Sequence, residues 1–322
     1  MTMTINFNHL PAEVISLAQA LAAKENKPLF PPLEKVGFEA ATKPLFFADQ
    51  ENPFERIGAV PAWQELPENI GRLIYRTDNG APLSIVGDKY AIVQNSELQA
   101  TVAEAAESSL PRHALQDIEL KEFSSRGGKY TRFEYTFPAL GADIRQLNGN
   151  STQLKFRIGI VNGFGGSSIR GFAGAYDLVC TNGLIIGEFE TSAYRHTIGF
   201  NPAKLGAFIE AEAAKYVTRV HTWQAWARKE ITATQAEATL TAAGMSGRRI
   251  KSMMQQFEVE AQNRGATVWA LYSALTYYSS HNSESFGVRN SGAIDNVAET
   301  LDKREREVAQ IINAPAFQVL AA

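Results

Sequence analysis

The 322-residue chain has a single cysteine, Cys180. One thiol cannot close an internal disulfide or supply a multi-thiolate zinc site, and such usage fits a reducing compartment. The five histidines, His9, His113, His196, His221 and His281, show no HxxxH or HExxH spacing. No metal and no cofactor is therefore expected. No apolar run approaches the roughly 20 residues that span a bilayer. The opening MTMTINFNHLPAEV lacks a basic stretch ahead of an apolar one. No signal peptide is read, and a cytoplasmic location without membrane association is expected. The net charge of -3 provides no whole-molecule attraction to polyanions.

What is present is the composition of a globular protein, 45% apolar and 20% charged, able to bury a sizeable core. The near-neutral total hides an asymmetry. Met1 to Leu120 holds 9 basic and 16 acidic residues, whereas Lys121 to Phe172 holds 8 basic and 3 acidic. The strand-rich middle is the basic part, although solvated charge is the ordinary reading of such a bias.

Three regions follow from the pattern. Residues 1–69 read as an N-terminal helix (11–24) followed by an irregular arm. Pro44, Pro53 and Pro61 there leave room only for a short strand around Leu45–Phe47. Residues 70–200 form a strand-rich core domain. Leu73–Arg76 and Leu83–Val86 flank the turn Thr77-Asp78-Asn79-Gly80, and Tyr90–Val93 continues a meander. Asn95 or Ser96 then caps a helix. Ile118–Phe123 and Tyr130–Phe137 make a hairpin, followed by Leu154–Val161, Ser167–Phe172 and a last strand within 188–200. Tyr130, Arg132, Glu134 and Thr136 alternate with Thr131, Phe133, Tyr135 and Phe137, which predicts one core face and one solvent face. Residues 201–322 are a helical C-terminal region, with helices from Asn201-Pro202 to about Lys229, Ser246–Asn263, Gly265–His281 and about Ile294–Ile312. The class is α+β: an antiparallel, hairpin-rich sheet packed on helices, with a helical C-terminal unit.

The glycine-rich stretch Gly163-Phe164-Gly165-Gly166-Ser167-Ser168 lacks the spacing of a nucleotide P-loop and reads as a hairpin tip. Its backbone N–H groups beside Ser167, Ser168 and Arg170 could hold a phosphate. Cys180, flanked by Leu178 and Val179, reads as a packed residue rather than a nucleophile partnered by His196. No catalytic set emerges. The basic residues carry the more suggestive pattern. Arg126, Lys129, Arg132, Lys155, Arg157 and Arg170 come from three consecutive strands and could share one sheet face or edge. Arg248, Arg249 and Lys251 form a second cluster at a helix start. Cations of this kind bind the phosphates of single-stranded nucleic acid. Of the rings interleaved with them, only Tyr130 shares a face with Arg132, so most belong to the core. The predicted nucleic-acid contacts are Arg126, Lys129, Arg132, Lys155, Arg157, Ser167, Ser168, Arg170, Arg248, Arg249 and Lys251.

GDKYAIVQNSEL (Gly87–Leu98), RIGIVNGFGGSSIRGFAGAYDLVCTNGLIIG (Arg157–Gly187) and TVWALYSALTYYSSH (Thr267–His281) resemble the DUF932 family, also called the UPF0380 or phage/plasmid-related family, over about residues 70–285. The resemblance implies a setting on phages, prophages and conjugative plasmids and carries no catalytic residue across. Two functions are open. One is a non-enzymatic nucleic-acid-binding protein, with single-stranded DNA favoured, acting in annealing or recombination as a homo-oligomer for which a ring is one form. The alternative is an anti-defence protein that acts by binding a host defence protein.

Overall fold

The computed structural model describes residues 28–48, 63–65, 67, 70–177, 182–185, 196, 201–281 and 295–322. The helix expected at 11–24, Cys180 and, apart from the bend at His196, the strand expected within 188–200 lie outside these residues.

Three short strands come first, β1 (Ala40–Pro44), β2 (Phe46–Ala48) and β3 (Trp63–Glu65). The TDNG turn then joins β4 (Arg72–Arg76) to β5 (Pro82–Val86), with Gly80 at φ +72° in the conformation that glycine accepts without strain. The third strand of this meander is β1, paired antiparallel with β4. Tyr90–Val93 is not a strand and forms only an isolated bridge at Tyr90. Pro44 is tolerated because β1 is an edge strand and needs no donor on its outer side. Helix α1 (Asn95–Ser109) is capped by Gln94 in a capping box with Glu97, not by Asn95 or Ser96. Asn95 is instead buried, and its amide donates to Val36 O at 2.7 Å.

The central sheet is a five-stranded antiparallel meander in which each strand pairs with its neighbour in the chain. Its strands are β6 (Glu119–Ser125), β7 (Tyr130–Arg145), β8 (Ser151–Gly163), β9 (Arg170–Asp177) and β10 (Asn182–Ile185). The registers Phe133↔Ile160, Tyr135↔Ile158, Ile158↔Ala173 and Phe156↔Ala175 line up one apolar face. That face packs into the main core with Leu98 and Val102 of α1 and with Leu205, Ile209, Tyr216 and Trp223 of α2 (Pro202–Trp226). Asn201 starts α2 by accepting from Ala203 N at 3.0 Å. Helices α3 (Ala233–Ala242), α4 (Gly247–Arg264), α5 (Val268–Ser280), α6 (Val297–Asn313) and α7 (Pro315–Ala321) complete the helical region. Among the described residues no helix is long and apolar enough to cross a membrane. The architecture is α+β, as the pattern predicted.

The opposite sheet face departs from expectation. Alternation had placed Tyr130, Arg132, Glu134 and Thr136 in water, yet all four are buried. The amphipathic helix α6 lies over them, so the sheet is covered on both sides. Where α6 begins, Asn296 forms a bridge with Ser125 of β6. Alternation reports that two faces differ in polarity, but it does not report whether a polar face is covered.

Candidate nucleic-acid interface

The register does bring Arg132, Lys155, Arg157 and Arg170 to one sheet face, since Arg132↔Val161, Thr136↔Arg157 and Val161↔Arg170 are cross-strand partners. Burial corrects what that face can touch. Arg132 is 1%, Arg157 2% and Arg170 9% exposed. Glu134 lies between the first two, accepting from Arg132 Nε at 2.6 Å and from Arg157 Nη1 at 2.9 Å. Glu305 of α6 closes the ring. Its Oε1 accepts from Arg132 Nη2 and Arg157 Nη2, both at 2.8 Å, and its Oε2 lies 2.8 Å from Arg132 Nη1. Phe172 forms the floor, with the Arg132 guanidinium 4.2 Å and that of Arg157 5.2 Å from its ring centre. The ring lies across Gly159, where a Cβ would stand 1.9 Å from Phe172 Cζ. Nearby, Asp302 of α6 accepts from Tyr130 Oη at 2.7 Å and from Arg170, and pairs with Arg306 at 3.1 Å.

This layer sets its own electrostatics. Burial alone would raise the Glu134 carboxyl, but the guanidinium groups of Arg132 and Arg157 outweigh it and hold the pKa at about 2. Burial also opposes the charge on Arg132, and Glu134 with Glu305 more than restores it. Tyr130 is pushed up by burial and by the Asp302 charge beside it. In this arrangement Arg132, Arg157 and Arg170 bind α6 and present no cation to solvent. Charges taken out of water stay charged only when paired this closely.

The remaining predicted contacts divide. Arg126 is half exposed at the β6–β7 turn and pairs with Glu299 at 2.9 Å. Lys129, next in the same turn, is partly exposed and lies against Gly165. Lys155 pairs with Glu119 at 2.9 Å. Ser167 and Ser168 are partly exposed, with Ser167 packed over Gly163. The glycine-rich tip is a hairpin turn, as expected. Two of its N–H groups are already engaged, Phe164 N on Lys129 O at 2.8 Å and Gly165 N on Tyr90 Oη at 3.2 Å. Arg249 pairs with Glu307 of α6 and donates to Tyr278 Oη. Arg248 and Lys251 are exposed on α4.

Sequence reasoning missed the partners and cations supplied by α6. Asp302 and Glu305 lie beside the apolar stripe of that helix, and Lys303 and Arg306 lie on its outer side. The signal was the dense run Asp302-Lys303-Arg304-Glu305-Arg306-Glu307. A solvated helix seldom needs such a run flanking its apolar face. The motif residues also gain roles as anchors. Asn162 donates to Asn95 Oδ1 at 2.9 Å and Val93 O at 3.0 Å, fixing the start of α1. Asp177 accepts from Thr152 Oγ1 at 2.6 Å and from Arg264 of α4 at 2.9 Å, while Arg264 Nε donates to Glu260 at 2.7 Å. His196 is buried and stacks on Tyr90 at 4.9 Å, and burial lowers its pKa to about 4. Among the described residues no group of three or more His, Cys, Asp or Glu could hold a metal ion.

No curated protein and no solved structure matches the chain significantly. A family model described as Domain of unknown function (DUF932) matches residues 82–307, a span containing β6–β10, Asp302 and Glu305. That match takes in most of the sequence, and the chain belongs to the DUF932 family.

Proposed function

We propose that the chain is a non-enzymatic nucleic-acid-binding protein of a mobile genetic element, with single-stranded DNA as the favoured ligand. The supporting observation is the row of cations along the outer side of α6. Arg126 stands at its start, where it meets Glu299, with Lys129 three residues on in the same turn, and Lys303 and Arg306 follow on the helix itself. Arg249 joins at Glu307, with Arg248 and Lys251 beyond it on α4. From Glu299 to Glu307 is a rise of about 12 Å at 1.5 Å per residue. Seven cations stand there against four carboxylates: Glu299, Asp302 and Glu307 pair with Arg126, Arg306 and Arg249, and Asp295 accepts from Gly127 N. Such a track suits a phosphate backbone and carries no sequence preference. The buried arginines of the sheet are not part of it.

The test is a salt-titrated anisotropy measurement with a labelled single-stranded oligonucleotide. With about four phosphates neutralised and a slope near 0.7 per phosphate, affinity falls roughly 50-fold between 50 and 200 mM salt. Arg248→Ala with Lys251→Ala lowers the slope by about 1.4. Absence of binding at low salt refutes the reading. A host protein captured without nucleic acid would favour the anti-defence alternative.

A further inference from the structure

The sheet face beneath α6 is cationic in its own right. Among the described residues it contributes Arg132, Arg157 and Arg170 under the helix, against one carboxylate, Glu134. The charge balance is completed by α6 through Asp302 and Glu305. Glu305 spans two guanidinium forks as a phosphate would, accepting from both arginines with one oxygen.

The two halves of α6 are held differently. The C-terminal half supplies Val308, Ala309, Ile311 and Ile312 to the main core. The N-terminal half adds Ala298 to a small separate cluster with Tyr130, Val161 and Phe172, buries Leu301, and is tied to the end of α5 by Arg304, which donates to Tyr278 O and His281 O. Over the three arginines its contacts are the ionic ones of Asp302 and Glu305, and a polyanion competes for ionic contacts in a way it cannot compete for apolar ones.

We propose that Val297–Glu305 is an autoinhibitory cover. Its carboxylates occupy an anion-binding face of the sheet, and the phosphates of a single strand displace them from Arg132, Arg157 and Arg170. This inference rests on the nucleic-acid reading above and adds to its outer track a second, covered site. The outer cations Arg126, Lys129, Lys303 and Arg306 make the first encounter, and the C-terminal half of α6 serves as the pivot. A ligand with several linked phosphates is required, because two carboxylates must be replaced together.

The experiment uses the full chain and a fluorescein-labelled oligothymidylate at low salt. Asp302→Asn with Glu305→Gln keeps the shape of the cover and removes its two charges. The expected result is affinity higher by about tenfold, the factor that corresponds to 1.4 kcal/mol. Adding Arg157→Gln returns affinity to the wild-type level. A gain that is absent, or that survives Arg157→Gln, overturns the proposal. Hydrogen exchange on the wild-type protein does not depend on variants that fold. Saturating oligonucleotide should expose the amides of Val297–Glu305 and leave those of Val308–Ile312 protected. Unchanged protection at Val297–Glu305 with binding intact overturns the cover and leaves the nucleic-acid reading standing. If neither wild type nor variant binds, both fall.

Discussion

Glu305→Ala tests how far the buried charge layer holds the fold together. The side chain is 3% exposed and faces Arg132 and Arg157, themselves 1% and 2% exposed. Truncation leaves two guanidinium groups sharing Glu134 where they had shared two carboxylates. Breaking a buried pair by removing one partner costs about 3–5 kcal/mol. Native chains are stable by only about 5–15 kcal/mol, so this is a large fraction. At about 2–3 °C per kcal/mol for a chain of this size, the Tm falls by roughly 6–15 °C. The control is Glu299→Ala, which removes the partner of Arg126 at a site where the two side chains are 56% and 41% exposed. An exposed pair contributes about 0–1 kcal/mol, so that variant shifts the Tm by roughly 3 °C at most. Scanning calorimetry at neutral pH measures both. A second arm replaces Arg132, Glu134, Arg157 and Glu305 together by Met, Leu, Met and Leu. Well-packed apolar groups there are expected to be neutral or stabilising. Glu305→Ala costing no more than Glu299→Ala would refute the claim that burial makes this layer strong.

Three further outcomes follow from the same geometry. Stability should fall in two acid windows: His196, lowered to about 4 by burial, is protonated more readily unfolded, so stability drops as pH falls from about 6.5 towards 4. Glu134, held at about 2 by its arginines, gives stability present above its ordinary 4.5 and lost as pH falls from there towards 2. Urea midpoints against pH measure both, and His196→Gln should abolish only the upper window. Gly159→Ala places a methyl in the plane now filled by Phe172, and overpacking costs about 1–3 kcal/mol. Phe172→Ala alone costs about 3–5 kcal/mol, and the double variant should be less destabilised than the sum, as a denaturation cycle would show. Glu122 accepts the N–H groups of Glu34, Lys35 and Val36 at 3.2, 3.0 and 3.1 Å. Glu122→Ala should therefore raise hydrogen exchange at these three amides and leave β7 and β8 unaffected.

The period-two runs and turn signals made most of the fold legible. They located β4 through β9, because strand alternation and glycine turns are local, but ended β7 eight residues early at Phe137 and β9 five residues early at Phe172. The helices α2, α4, α5 and α6 were legible through their stripes and, for α2, its cap. The short helices α3 and α7 were not, since seven to ten residues carry too few turns to show a period. The strand role of Ala40–Pro44 was hidden because its partner, Arg72–Arg76, lies far along the chain. The candidate site was half legible. Arg132, Arg157 and Arg170 do share a face, and local sequence placed them together. Whether that face met water depended on α6, more than 130 residues beyond Arg170 in the case of Asp302. No window around the arginines carries that information. Arg126, Lys129, Arg248 and Lys251 remained at the surface because turn and helix-start positions are rarely covered.

The ring of Arg132, Glu134, Arg157 and Glu305 also constrains how this family can change over generations. Any single replacement in the ring passes through a protein with an unmatched buried charge, and the cost is large enough to remove it from a population. Substitutions there should be inherited as compensated sets, changing together or not at all. Surface cations such as Arg248 and Lys251 can drift one at a time. Relatives that differ in Glu305 should therefore also differ in Arg132 or Arg157, a record of the contact between helix and sheet written in sequence alone.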